Sequence, residues 1–137
     1  MTTAWSHLPN AAHIHRIVDG VRSNPDQWAM ADRKVFETAY DAGWNASRDV
    51  AKYAARDTDC DRDRHVAWNA ARAAIAGSGA ARDAGGYAIL ALIVWDESAD
   101  YLKLSVDQVT MLAALGGHKA MLLLPAVLVF EKSKELV

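Results

Sequence analysis

A chain of 137 residues has the size of one domain and can bury a core without a metal or disulfide to staple it. A formal charge of −2 excludes the composition of a nucleic-acid polycation, and a lone cysteine, Cys60, excludes an internal disulfide framework and fits a reducing compartment. Alanine fills 27 positions and no stretch alternates apolar with polar residues for long, so strands are not expected and the fold class is all-α.

Residues 1–9 read as an N-terminal arm, and the first twenty residues lack the apolar run of a signal peptide. Asn10 is placed to cap a first helix over 11–21, with Ile14, Ile17, Val18 and Val21 on one face. Ser23-Asn24-Pro25-Asp26-Gln27 is a helix start: Asn24 as the cap, Pro25 at the first helical position and Gln27 in a capping-box pattern. From there one long helix is expected to reach about Asp57. Its inward stripe is Trp28, Ala31, Val35, Ala39, Ala42, Ala46, Val50 and Tyr53, beside a second row of Phe36, Tyr40 and Trp44. Gly43 is its weak point. Residues 57–61 form a turn, with Asp59 or Asp61 as the next cap. A third helix over 62–76 faces inward with Ala67, Ala70, Ala71 and Ala74 and stops at Gly77.

Tyr87 to Trp95 is the stretch the rest must accommodate. It is apolar on every side except for one phenol, and a helix of that kind is a buried helix. It predicts a central helix from Ser78 to about Leu102. Ser105 and Gln108 cap a short helix over 106–115, closed by Gly116-Gly117, and a last helix runs from His118 to about Lys132 with a kink or break at Pro125. The expectation is a single bundle of five or six helices over 10–132 with a tail at 133–137. Its core is expected to hold Val35, Ala39, Ile89, Leu92, Ile93, Leu112, Leu115, Leu124, Val127 and Leu128. The longest apolar stretches fall short of the ~20 residues of a membrane span, so a cytoplasmic protein without membrane contact is expected.

Several patterns suggest chemistry without completing it. Asp57, Asp59, Asp61, Asp63 and His65 alternate like calcium ligands, but Arg62 and Trp68 stand where that loop needs glycine and glutamate. A solvated turn between helices explains them as well. His13 and His15, two apart, point to different sides of a helix. The glycines at 77, 79, 85 and 86 lack both the preceding strand and the third glycine of a dinucleotide fingerprint. Residues 106–124 have the rhythm of a helix-turn-helix, but the second helix offers no polar residues to read bases. Asp96, Glu97 and Asp100 would be acid–base groups if they faced a pocket, and a solvated helix end otherwise. No motif for a cofactor is present. A faint echo relates Trp44-Asn45-Ala46-Ser47-Arg48 to Trp68-Asn69-Ala70-Ala71-Arg72, which alanine-rich composition can also produce.

The run VAWNAARAAIAGSGAARDAGGYAILALIVWDESADYL from Val66, followed by LAALGGHKAMLLLPAVLVF, resembles uncharacterised alanine-rich proteins of actinobacteria and their bacteriophages. In that type an AAWxAAR-like helix leads into an ALxxWDxxxYL helix, and an LxALGxHxAxLLLPA element closes the chain. The likeness spans about residues 66–130. It implies a small, phage-encoded accessory protein rather than a metabolic enzyme, and it brings no site residues with it.

The functional expectation is a non-enzymatic protein that acts by binding a protein partner or by forming a homodimer. Trp44 and Trp68 are the leading contact residues, with Tyr40 and Tyr53, because aromatics among alanines have few large neighbours to cover them and tryptophan is enriched at interface hot spots. The alternatives are a DNA-binding regulator using 106–124 and a metal-assisted enzyme near Asp96–Asp100 or His65. The central-helix reading itself predicts that Leu92→Ala costs ~2–5 kcal/mol in denaturant unfolding; a loss under half a kcal/mol, on the order of a surface substitution, would refute it.

Overall fold

In the computed structural model, which describes residues 5–39, 43–57, 62–77, 79–115 and 117–135, the described elements are all helices and the described residues include no strand. The elements are α1 (Ala11–Ser23), α2 (Pro25–Ala39), α3 (Trp44–Asp57), α4 (Arg62–Ala74), α5 (Ala80–Val94), a 3-10 helix (Asp96–Lys103), α6 (Val106–Ala114) and α7 (His118–Glu135). Two of the expected helices are each divided, which raises the count above five or six.

The first division is at Gly43, whose φ of +104° is a backbone conformation that residues with a Cβ rarely adopt. Its carbonyl accepts from the Ser47 N–H and opens α3. The division resets the helical phase. Ser47 and Ala51 turn inward, fully buried, while Ala46, Val50 and Tyr53, expected on the inward stripe, face solvent. Tyr40 and Ala42 lie outside the described residues, as does the side chain of Ala39.

The second division ends the central helix at Val94 rather than near Leu102. Trp95 is extended (φ −121°, ψ 102°) and the 3-10 turn begins after it. α5 nevertheless holds the centre: it packs against α1, α2, α3, α4, α7 and the 3-10 helix. Ile89, Leu90, Leu92 and Ile93 are buried from all sides. At Gly85 the approach of α1 is so close that a Cβ would stand 2.4 Å from Val21 Cγ2, which leaves no space for a side chain.

Burying a helix whole also buries its C-terminal carbonyls, which have no partner inside the helix. The Ala91 carbonyl accepts from the Trp95 N–H (3.0 Å), and three side chains, two of them from distant parts of the chain, supply the other donors. Ser98 Oγ donates to the Ala91 carbonyl (2.9 Å), Asn10 Nδ2 to the Leu92 carbonyl (2.8 Å) and Arg64 Nη1 to the Ile93 carbonyl. Asn10 Nδ2 also reaches the Asp96 carbonyl (3.0 Å), and Arg64 forks onto the Asp96 carboxylate at 2.8 and 3.2 Å. A cation at this end also suits the helix dipole. Asn10 thus does not cap α1 with its side chain, as expected, but makes the far end of α5. Trp5 and Leu8, expected in a free arm, are buried in the main core for the same reason: the segment that carries Asn10 inward brings them along.

A kink or break is expected at Pro125; α7 continues through it unbroken to Glu135, past the expected end near Lys132. Every residue from Ala120 to Val127 is buried, so packing on all sides holds the helix across the missing N–H. With Val35, Val109 and Ala113, α7 forms a second core cluster, joined to the first through Tyr101, Leu102 and Leu128. Ser105 caps α6 reciprocally with Gln108, as its spacing predicts. Leu112 and Leu128 are only partly buried, and Leu115, expected in the core, is 78% exposed because α6 ends one residue before it.

Asn10→Ala leaves the buried Leu92 carbonyl without its donor, and the expected cost in equilibrium unfolding is about 1–3 kcal/mol. Hydrogen exchange separates the causes: faster exchange at the α5 end supports this role, whereas fraying confined to α1 would return Asn10 to a helix cap.

Candidate interaction surface

Trp44 and Trp68 meet the same turn of α5 from two sides. Trp44 opens α3 directly after the Gly43 turn, and its ring stands edge-to-face on Tyr87, with centroids 5.7 Å apart and planes at 89°. Trp68 reaches α5 from α4; its Cη2 lies 3.7 Å from the point where a Cβ on Gly86 would be, so the glycine makes the seat for the indole. All three rings are half-buried, with part of each facing solvent.

Each ring carries a cation of this chain. The Arg48 guanidinium lies 5.6 Å from the Trp44 ring centre and that of Arg72 5.3 Å from Trp68, both one helical turn after their tryptophan. Lys52 Nζ lies 5.7 Å from the Tyr87 ring centre. These distances fall within cation–π range, ~6 Å. The cations were not among the expected contact residues. The signal was the Trp-Asn-Ala-x-Arg echo: a tryptophan and an arginine four residues apart share one face of a helix, and both copies present that pair beside α5.

Tyr53 does not join this group. It is nine residues from Trp44, two and a half turns at 3.6 residues per turn, which puts it on the opposite side of α3, where it is 64% exposed. Tyr40 lies outside the described residues. Trp28 and Trp95, expected in the core, divide: Trp28 is fully buried, 6.0 Å edge-to-face from Phe130, and Trp95 is half-buried under Lys119.

The expected acidic groups face cations rather than a pocket. Asp96 pairs with Arg64, Glu97 with Lys119 at 2.5 Å and Asp100 with Lys103 at 3.8 Å. The hydrogen bond from Lys119 is the main reason the Glu97 carboxyl titrates below its usual range. Among the described residues no three His, Cys, Asp or Glu side chains converge as metal ligands would. The turn at 58–61 lies outside the described residues, as do the side chains of Asp57, Asp63 and His65. His15 faces Asp19 on its own helix at 3.5 Å.

Ser47 and His118 make the contact that sequence spacing had not suggested: Oγ and Nδ1 are 2.7 Å apart, the reach of a nucleophile and its base. The serine is sealed, however, at 0% exposure beneath α7, with Met121 Sδ 3.2 Å from its oxygen. No substrate carbonyl can approach it, and the pair clips α3 to the start of α7. In the 106–124 segment the would-be recognition helix is α7, whose residues 120–127 are all buried, so no groove of a duplex can receive that face. A cleft of about 440 Å³ opens between α2, the start of α6 and the end of α7, bordered by Met30, Lys34, Asp107 and Glu131. Glu131 there accepts from the Val106 N–H (3.1 Å), so the start of α6 already has its anion. Among the described residues no helix is long and apolar enough to cross a membrane. No family model, curated protein or solved structure matches this chain.

Because the Glu97 carboxyl is held below its usual range by Lys119, its pair contributes stability at neutral pH that is lost as pH falls through the lowered pKa. Glu97→Gln is expected to be slightly less stable than the parent at neutral pH and to converge with it in acid. Parallel stability curves across that range would show that the pair contributes nothing.

Proposed function

We propose that this chain is a non-enzymatic accessory protein that works by protein–protein association through the face where α3 and α4 flank α5. The observation that carries the reading is the placement of Trp44 and Trp68 on two sides of one α5 turn, each partly exposed and each beside an arginine of its own helix. Tryptophan, tyrosine and arginine are the residue types that dominate interface hot spots. Rings already seated on a rigid helix lose little conformational freedom when a partner covers them, which favours binding. The resemblance of residues 66–130 to alanine-rich proteins of actinobacteria and their phages supports an accessory role. The occupant is a protein partner or a second copy of the chain. Tyr53, on the far side of α3, is not part of this face.

The test is a folded variant that loses the rings and keeps apolar cover over α5: Trp44→Leu with Trp68→Leu, checked for helicity. Sedimentation and titration with any candidate partner should show association weakened at least tenfold, equivalent to ~1.4 kcal/mol. A folded variant that associates as the parent does would end this reading.

A further inference from the structure

Accepting the face centred on Trp44 and Trp68 as the docking surface, we infer that its occupant is a carboxylate-rich segment of another protein, not a second copy of this chain and not a nucleic acid. The charge of the face runs against that of the molecule. The chain carries a net −2, yet α3, α4 and α5 together carry seven Arg or Lys residues against four Asp, a local balance of +3. Arg48, Lys52 and Arg72 project there, Lys52 and Arg72 exposed, and Asp49 stands 3.8 Å from Arg48 Nε.

The manner in which these cations are held decides what they can recognise. A cation–π contact draws the guanidinium to the ring without occupying its N–H donors. The planar fork of arginine suits the two oxygens of a carboxylate. The Trp44–Arg48 and Trp68–Arg72 pairs repeat this arrangement on both sides of Tyr87, with Lys52 between. The face therefore offers cationic donors on two ledges with aromatic surface beneath them, the complement of acidic residues interspersed with apolar ones.

The same geometry argues against the other occupants. Single-stranded nucleic acid is held by bases stacked on open aromatic faces. Here each of the three rings already carries one of the chain's own cations over a face, and Trp44 is further engaged edge-to-face with Tyr87. A symmetric pair formed through this face would set the patch against itself, so that Arg48, Lys52 and Arg72 of one copy meet the same cations of the other, and like charges brought together across an interface oppose association.

The probe is a short synthetic peptide of glutamate interspersed with leucine and free of tryptophan, titrated into the full chain with tryptophan emission as the readout. A lysine–leucine peptide of equal length and an oligothymidylate serve as comparisons. Binding of the glutamate peptide alone is expected, weakening as salt is raised, and weakening at least tenfold in Arg48→Glu/Arg72→Glu. Lys52→Glu, a single exposed change, should weaken it less and serves if the double variant is unfolded. Equal binding of the lysine peptide, tighter binding of the oligothymidylate, no response to the glutamate peptide, or indifference to the charge reversals in folded protein would each overturn the inference. If the chain instead forms a dimer that Trp44→Leu/Trp68→Leu disrupts, the docking face stands and the acidic occupant falls. If those variants affect no association at all, the face itself is wrong.

Discussion

A helix that is apolar on every side can be stable in water only if other chain covers all of it, and covering it includes its polar end. That constraint shapes this protein. Side chains such as Ile89 and Leu92 need only apolar neighbours, which α1, α2, α4 and α7 provide. The carbonyls of Leu92 and Ile93 need donors beyond the helix, and an orphaned buried carbonyl costs more than a hydrogen bond returns; that of Ala91 accepts from both the Trp95 N–H and Ser98 Oγ. The solution draws Asn10, Arg64 and Ser98 to one point. Each donor also fixes the segment that carries it. The N-terminal stretch is tied down with Trp5 and Leu8 beneath it, the start of α4 is pinned to the end of α5, and the 3-10 turn is folded back over it.

Much of this architecture is legible in the residues, and the failures have physical causes. The central position of Tyr87–Trp95 follows from composition alone, because no amphipathic arrangement fits nine apolar residues. The Ser105–Gln108 cap and the Asn24–Pro25 start are local chemistry, decided within a few residues, and both are formed. What escaped depends on distance. Asn10 has the right neighbours to cap α1, and only a partner 82 residues away draws its amide elsewhere. The stripe through Ala46, Val50 and Tyr53 keeps helical period across Gly43, so periodicity alone cannot show that the backbone turns there and starts a new phase. Pro125 is a helix breaker by intrinsic preference, overridden where α7 is enclosed.

The candidate surface shows the same division. Trp44 and Trp68 were identifiable from residue type and alanine-rich surroundings. Their meeting at one turn of α5 required the fold, because it depends on α3 and α4 flanking the same helix and on Gly86 leaving space for an indole. The repeated Trp-Asn-Ala-x-Arg pattern was visible as a pattern, but a repeat in an alanine-rich chain has no meaning until both copies face the same neighbour. Tyr53 is grouped with the tryptophans only as an aromatic among alanines, and the new phase of α3 separates it from them.

The hydrogen bond between Asn10 and Leu92 also sets an order of events during synthesis. The N-terminal segment leaves the ribosome first, yet the carbonyl that holds it lies 82 residues further on. At 5–20 residues per second, that is a delay of roughly 4–16 s in which Trp5, Leu8 and the apolar side of α1 have been made and their cover has not. Isolated helices as short as α1 are marginal in water without tertiary packing, so through that interval the apolar side chains of the segment stay exposed. A protein built around a helix in the second half of its chain thus closes late, and Trp5 and Leu8 wait for a partner made long after them.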